Sequence, residues 1–301
     1  NYMTMKLSPQ LKNTHVIKDM LKKVNVSIFL SDGRRVETLL VYLPSTNGVI
    51  NHTAFFDLIA NELLHHFALT CQDIEKKLKR NGAQAADILF KKALSKLSQQ
   101  TAHGELGELI LFTLVDVYLE APKLLSKISL KTSPQMPVFG ADGVHIQYVN
   151  NKIRVYLGES KLYTTFSNAA TKAASSIEKA KSRYLDEFNL IDSYIDLPQL
   201  DEDAEEQLLG ILNPFENKNI DDHIHSPCFI GFADKNLIES CLKGEDFVQC
   251  YINMAFNHID DYYKKLEKRS VSIESSTLMI LPFTDTEALV KDFITHLGIQ
   301  K

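Results

Sequence analysis

Three residues in the middle of the chain have the types and spacing to do chemistry together: Asp142, Glu159 and Lys161. Two carboxylates held close together repel, and burying them is costly unless a cation neutralises them. A hard divalent ion, Mg²⁺ or Mn²⁺, suits that role, because it takes carboxylates together with water and phosphate oxygens. An amine beside such a centre positions or helps deprotonate a water and stabilises charge on a phosphate. This is the chemistry of metal-assisted phosphodiester hydrolysis. The plainer alternative is a pair of frayed strand ends with the lysine as a surface ion partner.

One β-hairpin positions all three. Residues 138–149 and 152–161 alternate apolar and polar, and Asn150-Asn151 between them suits the left-handed positions of a type I′ turn. That turn sets Val149 opposite Lys152 and fixes the register. Tyr148 then faces Ile153, Ile146 faces Val155 and Val144 faces Leu157, one apolar face with the period of a half-buried strand. Continued along that face, the next pairs are Asp142 with Glu159 and Gly140 with Lys161. A bulge at the Gly140/Gly143 bracket would shift this alignment. His145 falls on the opposite face and is given no catalytic role.

A carboxylate followed by a strand bearing Glu-x-Lys, here Glu159-Ser160-Lys161, resembles the PD-(D/E)xK nuclease superfamily. The resemblance runs from about Gly104 to Glu187 in helix-strand-strand-helix order. It implies that Asp142, Glu159 and the Ser160 carbonyl ligate metal while Lys161 assists the water. It also implies a glutamate from the preceding helix, either Glu108 or Glu105, with Glu108 favoured because the rest of that helix is apolar. A helix-dipole pair is the alternative for these two. More narrowly, Gly104-Glu-Leu-Gly-Glu-Leu109, Gly140-Ala-Asp-Gly-Val-His145, Gly158-Glu-Ser-Lys161 and Met279-Ile-Leu-Pro-Phe283 resemble the HamA family, nuclease subunits of the bacterial Hachiman anti-phage defence systems. That likeness implies a partner, the superfamily 2 helicase HamB. The chain has no G-x-x-x-x-G-K-[ST] phosphate loop, so no nucleotide cofactor of its own is expected.

The fold class expected is α/β: a PD-(D/E)xK nuclease-like core, with a central mixed sheet flanked by helices, and an N-terminal α+β extension. Residues 1–100 form that extension, with a hairpin about Asp32-Gly33 and helices over 53–69 and 72–97. Residues 101–301 form the nuclease domain, with an apolar helix over 104–120, a helix over 165–187 and an acidic, partly irregular insertion near 184–222. Further elements are a strand over 226–233, helices over 235–243 and 247–268, a strand over 276–281 closed by Pro282, and a last helix over 285–297.

Charge is unevenly spread. The net charge is −5, which argues against a protein that coats nucleic acid. Yet Lys123 to Arg183 holds ten Lys/Arg against three Asp/Glu, whereas Tyr184 to Asp222 holds twelve Asp/Glu against one Lys. The first stretch suits a phosphate-attracting face and the second a solvated loop, a partner contact or a shield for that face. Asn168, Lys172 and Lys179, small or basic positions on the helix after Lys161, are the DNA-contact candidates. No apolar run approaches a membrane span and Asn1–Met5 does not read as a secretory signal. Four cysteines without C-x-x-C spacing fit a reduced, cytoplasmic setting. Asp221-Asp222-His223-Ile224-His225 reads as a polar loop before it reads as a ligand set. The activity expected is metal-dependent DNA cleavage with little sequence specificity; the alternative is a non-cleaving DNA-binding and helicase-interaction module.

Overall fold

The computed structural model describes residues 6–46, 49–50, 52–131, 140–150, 152–213, 220–240 and 246–300. The chain opens with α1 (Thr14–Met20), β1 (Lys22–Lys23), β2 (Ile28–Phe29) and β3 (Arg35–Tyr42). The β2–β3 hairpin forms about Asp32-Gly33 as expected, with Gly33 at φ +87° where a side chain would be strained. A ribbon of β4 (Ser45–Thr46) and β5 (Val49–Ile50) leads to α2 (His52–Leu58), a π-helical stretch over Ile59–Leu63, and α3 (Leu64–Ala68). The helix expected over 72–97 is two, α4 (Cys71–Asn81) and α5 (Ala85–Leu94). Gly82, at φ +49°, breaks the run between them.

The second part continues with α6 (Ala102–Tyr118), β6 (Lys123–Ser126), α7 (Lys127–Leu130), β7 (Gly143–Val149), β8 (Lys152–Tyr163) and α8 (Phe166–Ser182). Then come α9 (Tyr184–Tyr194), α10 (Glu202–Leu212), β9 (Ile224–Ala233), α11 (Lys235–Ser240), α12 (Phe247–Glu267), β10 (Ser276–Phe283) and α13 (Thr286–Leu297). Residues 241–243, expected to extend α11, lie outside the described residues. Three expectations need correction. The helix over 165–187 stops at Ser182, and the acidic stretch thought partly irregular supplies two helices, α9 and α10. Pro282 does not close β10: it pairs with Phe232 of β9, beyond the last rung with β3, so its missing N–H costs no ladder bond there.

A mixed sheet runs β1-β3-β10-β9-β8-β7-β6, with β2 also on β3. The central pairs β3/β10, β10/β9 and β9/β8 are parallel, whereas β8/β7 and β7/β6 are antiparallel. Strands from both sides of residue 100 therefore share one sheet. One face buries Leu162, Phe229 and Met279 with Phe112 of α6 and Phe293 of α13. The other buries Cys228, Ile230 and Ile280 with Ile177 of α8 and Tyr262 of α12. A third core lies at the β7–β8 end, where Val144, Ile146, Val155 and Leu157 meet Ile191, Leu208 and Leu212 of α9 and α10. The acidic helices thus carry apolar stripes that cover the hairpin, while Asp186, Asp192, Glu202, Asp203 and Glu206 are exposed. This layout, with helices on both faces of a mixed sheet, is compatible with a nuclease-like core.

Candidate active site

The hairpin has the register its sequence demands. Val149 pairs with Lys152 and the ladder runs rung by rung to Gly143 opposite Gly158. Asn150 takes the left-handed conformation, φ +52°; Asn151 lies outside the described residues. The next rungs, Asp142/Glu159 and Gly140/Lys161, do not form. Gly140 sits at φ +116°, Asp142 stands in a bend before β7, and the Asp142 N–H donates to the Gly158 carbonyl at 2.9 Å. The bend draws the Asp142 carboxylate under β8 instead of beside Glu159. Its Oδ2 accepts from the Ser160 N–H at 2.8 Å and the Ser160 Oγ at 2.9 Å, and its Oδ1 accepts from Lys127 Nζ at 2.7 Å.

Glu159 and Lys161 project from the same side of β8, as strand alternation requires, and their side chains form an ion pair. Asp142 and Glu159 are each only 7% exposed. Burial, and then the charge of Asp142, pushes the Glu159 carboxyl up to about 7. Burial by itself would lower the Lys161 amine, but the charge and hydrogen bond of Glu159 outweigh it and raise the amine above the ordinary lysine value. Lys127 is raised in the same way by Asp142. Both amines are therefore cations at neutral pH, suited to holding negative charge and not to accepting a proton.

Two openings reach this group. The larger, about 940 Å³, has Lys127, Asp142, Glu159 and Lys161 on its sheet side, with Lys179 and Arg183 from the end of α8 and a wall made by α9. The smaller, about 190 Å³, lies toward α6 and brings Glu108 together with Asp142, Ser160 and Lys161. Burial and the Asp142 charge hold Glu108 well above the usual carboxylate range. Gly107 lets α6 come this close: a Cβ there would meet Ser160 Oγ at 3.4 Å. Glu105 points elsewhere, accepting from Thr101 Oγ1 at 2.7 Å and Lys131 Nζ at 2.6 Å. Between the two helix glutamates the geometry puts Glu108 at the cleft and Glu105 in a buried ion pair.

The donors here are hard oxygens, the kind Mg²⁺ and Mn²⁺ prefer. Like-charged carboxylates gathered at a buried point also carry a free-energy cost that a divalent cation would relieve. In the conformation described, lysines do that work. Among the described residues no three His, Cys, Asp or Glu side chains stand together as a metal-ligand group. Asp142 Oδ1 faces Lys127 and Glu159 faces Lys161, so a metal would have to compete with those ammonium groups.

A family model for HamA matches residues 15–297, nearly the whole chain. The chain belongs to the HamA family. Membership makes it a component of Hachiman anti-phage defence, with a nuclease-like role. No curated protein sequence matches it. Among the described residues, no helix of this HamA-family chain is long and apolar enough to cross a membrane.

The remaining candidates separate cleanly. Lys179 reaches the large cleft; Asn168 and Lys172 are exposed on the same α8 face, about three and two turns nearer its start, and do not line it. His145 is buried on the far side of β7, bonded through Nδ1 to the Ala121 carbonyl at 2.8 Å. His225 is not in a polar loop: β9 starts at Ile224, and its Nε2 lies 2.8 Å from Thr277 Oγ1. The basic stretch is not one face either. Lys123 is buried and caps the end of α3, donating to the His66, Phe67 and Leu69 carbonyls. Sequence reasoning missed Lys127, the residue paired with Asp142. In the sequence it is one of ten cations in a basic stretch, and only the β6–β7 pairing, which sets Ser126 opposite Gly143, brings it to the site.

Proposed function

We propose that the large cleft is the active site of a divalent-metal-dependent DNA nuclease, acting with little sequence specificity and controlled by a partner helicase, HamB in the family's terms. The observation that carries this is the convergence of Asp142, Glu159, Lys127 and Lys161 on one cleft floor, with Glu108 behind. Mg²⁺ or Mn²⁺ held by Asp142 and Glu159, with Glu108 and the Ser160 carbonyl as further donors, would act as Lewis acid and activate water. The chain's own groups do the rest. Ser160 fixes the Asp142 carboxylate through two hydrogen bonds, a preorganised arrangement. Lys161, released from Glu159, offers its charge to the scissile phosphate. Lys179 and Arg183 at the mouth attract the backbone. HamA membership supports this reading.

The test is supercoiled plasmid incubated with Mg²⁺ or Mn²⁺, alone and with the helicase and ATP. Wild type should nick or linearise it, while Glu159→Ala and Lys161→Ala should lose about a hundredfold or more in rate, the scale of a removed charge-stabilising group. Cleavage that survives Glu159→Ala would refute the assignment. One observation favours a second reading, a non-cleaving DNA-binding module: both carboxylates are already neutralised by lysines. It predicts DNA binding that persists in Asp142→Ala, Glu159→Ala and Lys161→Ala and no cutting under any condition.

A further inference from the structure

The two long walls of the large cleft differ in chemistry. The α8 wall presents Ser176, Lys179 and Arg183. Lys179 is exposed and, among the described residues, enters no ion pair; Arg183 is exposed and pairs with Asp186 at 2.9 Å. The opposite wall is one strip of α9: Asp186, Asn189, Leu190, Ser193 and Tyr194, at the three- and four-residue spacings of a single helix face. Apart from Asp186, whose charge Arg183 answers, that strip is uncharged. It ends in Tyr194, a large aromatic ring 57% exposed at the cleft. Tyr194 belongs to none of the hydrophobic cores described, so packing does not account for its place on this strip. The neighbouring residue Ile191 faces the other way, into the apolar cover of the hairpin, so the helix is anchored with Tyr194 turned outward.

A groove with cations on one wall and an uncharged, aromatic second wall matches one strand of nucleic acid. Phosphates track the charged side while bases stack on the ring. A duplex does not match. Its bases are hidden in the stack, and it would set phosphates against both walls, one of which carries nothing to neutralise them. From this we infer that the cleft takes single-stranded DNA, with Tyr194 as a base-stacking residue and Lys179 as a backbone contact. The inference deepens the nuclease reading and rests on it for the identity of the polymer. It gives the helicase a chemical purpose: unwinding produces the only form of DNA that fits this cleft.

The test separates binding from cutting. In the Glu159→Gln background with EDTA, fluorescence anisotropy of a short fluorescein-labelled oligothymidylate is compared with that of a fully paired hairpin of equal charge. Tyr194→Ala should weaken oligothymidylate binding about tenfold, the scale of one lost base stack, and Tyr194→Phe should restore it. Tyr194 is exposed, so both variants fold. The hairpin should bind more weakly than the oligothymidylate and be insensitive to Tyr194. Equal binding by the Ala and Tyr proteins, tighter hairpin binding, or tighter binding of oligouridylate each overturns the inference. Wild-type cutting of circular single-stranded DNA with Mg²⁺ or Mn²⁺, run in parallel, keeps the two readings apart. Cutting without Tyr194-dependent binding sinks the inference alone; Tyr194-dependent binding without cutting sinks the nuclease alone.

Discussion

Replacing Lys127 with methionine removes one charge from the site while keeping most of the apolar stem. Lys127 Nζ lies 2.7 Å from Asp142 Oδ1, with the two side chains 21% and 8% exposed. Breaking a fully buried pair by deleting one partner costs about 3–5 kcal/mol, because the other charge is left unpaired. Lys127 is partly open to solvent, and the Ser160 hydrogen bonds to Asp142 survive, so about 2–3 kcal/mol is the expectation by the same rule. At roughly 2–4 °C per kcal/mol for large chains, the melting temperature should fall by about 4–12 °C. The pair is isolated by a double-mutant cycle with Asp142→Asn, read by urea denaturation at neutral pH. Lys127→Met should cost little in the Asp142→Asn background, giving a coupling of about 2 kcal/mol. A second arm uses Mg²⁺. If the ammonium occupies the place a metal would take, Mg²⁺ should stabilise Lys127→Met more than wild type, by about 2.7 kcal/mol where free Mg²⁺ is a hundred times its Kd. Additive mutations would show that the ion pair carries no energy. Equal Mg²⁺ stabilisation of both proteins would show that Lys127 and the metal do not compete.

Two other perturbations follow from the packing. At Gly107 a Cβ fits against Ser160 Oγ and the Leu162 Cβ, at 3.4 and 3.6 Å, but branched carbons beyond it do not. Gly107→Ala should be nearly neutral in stability, whereas Gly107→Val should cost about 1–3 kcal/mol by pushing α6 off β8, and should reduce cleavage further by moving Glu108; equal behaviour of the two variants in thermal melts would contradict the close approach. Burial pushes His66, His145 and His225 down to about 3. The unfolded chain therefore takes up those protons first, and stability is lost as pH falls below about 6.5. Burial pushes Glu159 up to about 7, Asp116 up to about 6 and Glu108 well above the usual carboxylate range, so these carboxyls gain stability as pH falls from about 7 toward 5. Each histidine held neutral contributes a fall of about 1.4 kcal/mol per pH unit near pH 5, which the raised carboxyls offset in part. Denaturation midpoints measured from pH 7 to 5 should show it, and His225→Gln should flatten the slope; an unchanged slope in that variant would mean His225 is not held neutral.

The hairpin was legible because alternation and a two-residue turn leave one register, and every rung from Val149/Lys152 to Gly143/Gly158 obeys it. The site beyond the last rung was legible only in its membership. A positive φ at Gly140 is a backbone event that sequence permits without requiring, and it turns a side-by-side pair into Asp142 tucked beneath Ser160. The Glu105/Glu108 ambiguity also needed coordinates, since both lie on the sheetward side of α6 and only the reach of Lys131 separates them. Lys127 and Lys123 look alike in a basic run. Long-range strand pairing sends one to the Asp142 carboxylate and the other to the end of a helix.

The acidic stretch shows how a charge run can mislead, and it sets a constraint on any test of partner docking. Asp201 caps α10, its carboxylate accepting from the Ala204 N–H at 2.9 Å, and Glu202, Asp203 and Glu205 fill the first turn where the helix dipole favours them. Behind them Leu208 and Leu212 seal the hairpin's apolar face. Neutralising the whole cluster therefore removes a cap worth about 1 kcal/mol and loosens the cover beside the active cleft. A change in helicase binding after that would not distinguish lost charge from a frayed α10. Glu202→Gln with Glu206→Gln separates them, because both side chains are exposed and neither is the cap. These substitutions should leave the denaturation midpoint within about 0.5 kcal/mol of wild type, as surface changes do. If the acidic face docks the helicase, the same pair should weaken the complex in a pull-down titration and do so less at high salt, where the attraction is already screened. An unchanged complex would leave the charges with no task beyond holding α10 in place.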